Sequence, residues 1–164
     1  MSADVFRRSV VPIDFSDSSE PAWALAQRLA RALGSEIVLA HVLVEAPLYG
    51  EGPLTMDRTR QVLEETRTWA TQQLDRRAAA ATANGLAVRT ALRTGSPYRE
   101  IVDLATDERA DLVILGTHGR GRLSRAVLGS VADRVIRLAP CAVLTVRRPE
   151  GATRNAGSDR EDQR

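Results

Sequence analysis

The sequence predicts an α/β fold: a single open, doubly wound sheet of five parallel strands with helices on both faces. Aliphatic runs recur at residues 10–13, 37–44, 86–92, 111–116 and 142–146, and segments of helical spacing or helical composition separate them. The runs are rich in Val, Ile and Leu with few polar interruptions, as expected of strands covered on both sides. Connections of the strand–helix–strand kind return through right-handed crossovers, which stack helices on the two faces of one sheet.

The first run, Val10, Val11 and Ile13, ends near Asp14, and the polar cluster at residues 16–20 supplies helix-start chemistry. Ala22, Leu25, Ala26, Leu29 and Leu33 then recur at helical spacing, with Gly34 as the C-terminal stop. Only His41 interrupts the second strand. Residues 45–56 contain Pro47, Gly50, Gly52 and Pro53, which predicts a long surface loop of the kind that borders ligands. Residues 57–83 hold no Gly or Pro, so the longest helix is expected there, closed by Asn84 and Gly85. The third strand follows at 86–92. Ser96 and Pro97 open a third helix that runs to Arg109. Leu112, Val113, Ile114 and Leu115 make the fourth strand. Ser130 begins a fourth helix that Pro140 ends, and Ala142 to Val146 completes the sheet. Residues 149–164 are charged and lack large apolar side chains, so a disordered tail is expected to follow a single domain at residues 1–148.

A chain of 164 residues, 43% of them hydrophobic, can bury a sizeable core in one domain. The formal net charge is +2, and all 23 cationic side chains are arginine. Without lysine there is neither Schiff-base chemistry nor a phosphate loop of the G-x-x-x-x-G-K-S/T kind. Acidic residues are scattered among the arginines and only 4% of residues are aromatic, so nucleic acid is not an expected partner. Cys141 has no second thiol for a disulfide, a redox pair or a zinc pair and reads as a small core residue. Residues 1–11 do not resemble a signal peptide, and no stretch reaches membrane-spanning length. The expected compartment is the cytoplasm, with no membrane partner.

The functional signal lies after the fourth strand, where the chain reads Gly116-Thr-His-Gly119-Arg-Gly121-Arg-Leu-Ser-Arg-Ala-Val-Leu-Gly129-Ser130. Glycines stand where a strand ends and where a helix starts. They let a ligand approach the backbone, and the amides and dipole of a helix N-terminus favour an anion such as phosphate. Bare main-chain amides at both ends of the loop are the expected cradle, with the Ser130 hydroxyl as a further donor. A purely structural alternative is that Gly116 and Gly119 form a turn while Ser130 caps the helix and Asp133 completes a capping box. Asp14 has a structural alternative too, as a strand-end residue feeding a helix cap.

The pattern G-x2-G-x9-G-S made by Gly116, Gly119, Gly129 and Ser130 resembles the nucleotide-binding motif of the universal stress protein family. The similarity runs from Val10-Val11-Pro12-Ile13-Asp14-Phe15-Ser16 through Ala40-His41-Val42 to Ala139-Pro140-Cys141. It implies a strand order of 3-2-1-4-5 and, for the family's nucleotide-binding branch, ATP between the ends of strands one and four. The resemblance further implies that Asp14 contacts the ribose or a magnesium ion and that Val42 touches adenine. Pro12 and Ile13 would line the pocket by backbone, and Gly116, Gly119, Gly129, Ser130 and Val131 would surround phosphates and ribose. Thr117, His118 and Arg120 complete the implied ATP contacts. The loop departs from the family in carrying Arg120, Arg122 and Arg125, which either clamp phosphates or are solvated. A homodimer through residues 142–146 is also implied, since pairing there would satisfy an open sheet edge.

Catalysis has less support. No Ser or Cys is marked as a nucleophilic partner for His41 or His118, and the two have no third metal ligand. The H-x-G-H and S-G-G-x-D-S signatures of adenylyl-transfer enzymes are missing. The expected function is an ATP-dependent dimeric regulator in the stress response, acting on an unknown protein partner, with weak ATP hydrolysis at most. The alternatives are a nucleotide-free dimeric interaction module of the same family and an adenylyl-transfer enzyme.

Overall fold

Strands covered on both faces must hand alternate side chains to different helical layers, and the observed architecture follows from that requirement. The computed structural model describes residues 6–44, 53–117 (backbone alone at 53–57) and 128–147. β1 (Arg8–Pro12), β2 (Glu36–Leu43), β3 (Val88–Thr94), β4 (Leu112–Gly116) and β5 (Ala142–Val146) form one parallel sheet in the order β3-β2-β1-β4-β5. Val11, Ile37, Leu39, Leu112 and Ile114 pack against α1 (Glu20–Leu33) and α2 (Pro53–Ala83). Val10, Val38, Ala40, Val113 and Leu115 pack the other face against α3 (Pro97–Asp107) and α4 (Ser130–Leu138). Each fully buried aliphatic side chain stabilises the fold by roughly 1.5–3 kcal/mol relative to exposure, so these two layers are its main support. The fold class and strand order are those expected.

Several details of these elements differ from expectation. α2 begins at Pro53, so residues 53–56 are helical rather than loop. Proline suits a first helical position because its missing N–H would have no intrahelical partner there. β3 starts at Val88, because buried Leu86 belongs to the turn: its N–H bonds to the Ala81 carbonyl at 3.2 Å and closes α2. The buried stripe of α1 is Ala22, Trp23, Ala26 and Ala30, while Leu25 and Leu29 are half-buried and Leu33 is exposed. Gly34 ends that helix at a φ of 69°, the left-handed cap for which glycine is suited. Cys141, expected in the core, is half-buried beside the α3–α4 layer, and burial pushes its thiol pKa up. Residues 45–52 and the tail at 149–164 lie outside the described residues.

The chain leaves β1 for β2 and β3 on one side, then returns to lay β4 and β5 on the other. That reversal parts the connections at the carboxyl ends of β1 and β4 and opens a crevice between them.

Candidate functional site

The crevice contains a cavity of about 600 Å³. Pro12, Ile13 and Asp14 enter it from the end of β1, Val42 from β2, and Gly116 and Thr117 from β4. Gly129, Ser130 and Val131 enter from the start of α4. These nine sequence-predicted residues, far apart in the chain, therefore line one space. The predicted His118, Gly119 and Arg120 lie outside the described residues, as do Arg122 and Arg125.

Asp14 combines a structural role with a place on the cavity wall. Its Oδ1 accepts hydrogen bonds from the Ser16 N–H (3.0 Å) and hydroxyl (2.6 Å), the geometry of an Asx turn. The Ser16 carbonyl accepts in turn from the Ser19 N–H (3.0 Å) and hydroxyl (2.9 Å), which leads the chain into α1. Ser19, a buried residue that also borders the cavity, carried no signal in the sequence beyond its place before a helix.

The expectation of bare amides at both ends of the glycine loop is corrected in part. The Thr117 N–H donates to the Val146 carbonyl (3.1 Å), and the Gly129 N–H donates to the Thr117 carbonyl (2.8 Å), tying the loop's two ends together. The first bond of α4 runs from the Asp133 N–H to the Gly129 carbonyl (2.9 Å). The amides of Ser130, Val131 and Ala132 precede that bond, so helix geometry leaves them to be satisfied from outside the helix. Between the two described ends of the loop, the anion-favouring amides are thus those of the first turn of α4. The capping box does not form. Gly129 is the N-cap without a side-chain cap, Ser130 is the first helical residue, and Asp133 pairs with Arg137 at 3.2 Å.

His41 serves the scaffold. It is 8% exposed, and its Nδ1 lies 2.7 Å from the Ile13 carbonyl. A carbonyl only accepts, so Nδ1 carries the proton, and the ring ties β2 to the end of β1. The imidazole lies 4.4 Å from the Phe15 ring, which meets Trp69 at 5.1 Å and near-perpendicular planes. Phe15 adopts a φ of 60°, a backbone conformation that costs a bulky residue roughly 1–3 kcal/mol. Packing offsets the strain: the Arg77 guanidinium lies 5.2 Å from the Phe15 ring centre and pairs with Glu20 at 2.8 Å.

The helices complete the cavity with residues that sequence reasoning missed. α2 contributes Leu63, Thr66 and Trp69, and α3 contributes Pro97 and Ile101. The one available signal was two large apolar side chains in a stretch of α2 otherwise dominated by polar residues. Among the described residues, no three His, Cys, Asp or Glu side chains gather into a metal-holding group. Among the same residues, no helix is long and apolar enough to cross a membrane.

Known proteins share this chain's sequence and architecture. Residues 6–147 match the universal stress protein family. The chain belongs to that family. Universal stress protein MJ0531 of Methanocaldococcus jannaschii is 33% identical over 150 residues, spanning 90% of this chain and 85% of the relative. A universal stress protein of Thermus aquaticus is 31% identical over 144 residues, spanning 87% of this chain and all of the relative (100%). The solved structure of MJ0577, also from M. jannaschii, has a TM-score of 0.79 at 26% identity and covers 89% of this chain and 99% of its own. A universal stress protein solved in complex with cAMP has a TM-score of 0.62 at 26% identity, covering 87% of this chain and 98% of its own. The family's Rossmann-like sheet is the one described above.

Proposed function

We propose that this chain is an ATP-binding member of the family, a cytoplasmic homodimer whose nucleotide occupancy regulates a protein partner during stress. The observation that carries the reading is a cavity of about 600 Å³ bounded on one side by the first turn of α4 and on another by Asp14. Helix amides and dipole favour a phosphate on the first side. On the other, Asp14 can take a ribose hydroxyl or a magnesium ion. A single carboxylate suits magnesium when phosphate oxygens and waters supply the remaining ligands. In this reading Pro12 and Ile13 line the ligand through backbone, and Val42 packs on adenine. Gly116, Gly119, Gly129, Ser130 and Val131 surround ribose and phosphates, with Thr117, His118 and Arg120 at the phosphate end.

Pairing of β5 with its two-fold copy would join two sheets edge to edge and leave the cavities at the carboxyl ends open to partners. The cAMP complex of a relative supports a nucleotide ligand, and it favours a cyclic mononucleotide as the second reading. Native mass spectrometry of the purified full chain tests both. The expected species is a dimer carrying one ATP per protomer, with cAMP competing weakly. A dimer that takes up cAMP but not ATP would favour the second reading, and protein that binds neither at millimolar concentration would remove both.

A further inference from the structure

We infer that Trp69 is the wall against which the base of the nucleotide packs, so that the cavity selects purine over pyrimidine nucleotides. The inference deepens the nucleotide reading and rests on it.

α2 has two halves of different character. From Ala70 onward it buries Ala70, Leu74 and Ala81 against the sheet. Before Ala70, residues 58–69 are exposed apart from half-buried Thr59, and Trp69 itself is 45% exposed. An indole in that position is neither part of the core nor turned away into solvent, because it lines the cavity together with Leu63 and Thr66 from the same helix. The Phe15 ring meets the indole at 5.1 Å and 82°. With 45% of Trp69 exposed on the cavity side of α2, indole surface remains for a ligand.

The backbone strain at Phe15 is the second, independent observation. A φ of 60° is unfavourable for phenylalanine, and it places the ring between His41 and Trp69. The Phe15 ring thus bridges His41 and Trp69, which both line the cavity. Strain of this kind persists where the surrounding structure over-determines it, and here it accompanies the contact of Phe15 with Trp69. Val44 and Leu63, exposed and apolar, extend the same wall. A ligand reaching from this wall to the first turn of α4 needs a flat apolar ring at one end and an anionic group at the other. Purine nucleotides meet both needs, and a purine offers the indole a larger face than a pyrimidine does.

The full chain has two tryptophans, and Trp23 is 6% exposed in the core, so solvent quenchers report on Trp69. In titrations with magnesium and ATP, tryptophan emission is expected to change, and iodide quenching to fall. Trp69→Phe should retain most of the affinity and lose the optical signal. Trp69→Ala should weaken ATP by about tenfold and UTP far less, so that the ATP-to-UTP preference collapses. Competition by inorganic tripolyphosphate, which has no base, should be the same in all three proteins. Thermal unfolding identifies any variant that fails to fold, and the wild-type quenching measurement stands without the variants. Wild-type protein that binds ATP with unchanged emission and quencher access, or a folded Trp69→Ala that keeps the wild-type ATP-to-UTP ratio, would overturn the inference and leave the nucleotide reading in place. Wild-type protein that binds no nucleotide would overturn both.

Discussion

At the amino ends of the strands, Arg8, Glu36, Arg89 and Glu108 close on one another. Arg8 Nε lies 2.9 Å from Glu36 Oε2, Arg89 Nη2 lies 2.7 Å from Glu108 Oε2, and Arg89 also pairs with Glu36. The Arg8 guanidinium further donates to the Glu108 carbonyl at 2.7 Å, so the start of β1 is bound to the end of α3. At the carboxyl ends of the same strands, Asp14 and the first amides of α4 line a cavity instead. Charges that neutralise each other within the chain mark where the fold is held. At the other end, an acidic residue and the helix N-terminus stand on the wall of a cavity, where a ligand can meet them. At the amino ends, hydrogen bonding to Arg89 holds the carboxyls of both Glu36 and Glu108 below the usual glutamate range.

The largest expected effect tests the cavity end. Gly129 has a φ of −61° and a ψ of 146°, open to any residue, so Gly129→Val should fold and place methyl groups at the phosphate position. ATP affinity measured by calorimetry should fall by more than about a hundredfold, or about 2.7 kcal/mol. Unchanged affinity would detach the α4 terminus from ligand binding and break the comparison.

Asp14→Asn sharpens it. An asparagine oxygen can keep the Asx turn with Ser16 while the charge is lost. Affinity for ATP with magnesium should drop by about tenfold, while affinity in EDTA changes little. Equal losses in the two conditions would assign Asp14 to the ribose rather than to the metal.

The smallest effect belongs to the amino end. Glu36→Gln should cost about 1 kcal/mol in urea unfolding, because its arginine partners are partly in solvent, and should leave ATP affinity unchanged. The sign with pH follows from the lowered carboxyl pKa. The unfolded chain takes up the proton first, so the contribution is complete above the ordinary value of 4.5 and fades as pH falls through the lower folded value. Stability curves of wild type and variant should therefore converge on acidification below about pH 4. A constant gap down to pH 3 would show that the charge is not the source.

Legibility in the sequence varied with the kind of signal. β5 was readable to the residue, since Pro140 precedes it and Arg147 follows it. β3 was displaced because Leu86 is apolar and buried without being in a strand. Pro53 reads as loop in the sequence yet starts α2, because proline both breaks helices and starts them and local sequence does not separate the two uses. In the candidate site, the strand-end and glycine residues were visible because their chemistry is unusual at a strand end or helix start. Trp69, Leu63 and Thr66 were not, because apolar side chains in a polar stretch of helix are the one local signal, and that signal does not tell a cavity from a neighbouring surface.

The sequence by itself determined the alternation of strands and helices, the two-sided burial of the sheet, and the glycine–serine entry into α4, all of which depend on residues close together in the chain. Tertiary structure alone decided that the amides of Thr117 and Gly129 are used within the fold, that His41 serves as a tether, and that Leu63, Thr66 and Trp69 of α2 line the cavity. Periodicity specifies which residues share a face. What that face meets is set by how the crossovers pack on the sheet, through contacts between residues far apart in the chain.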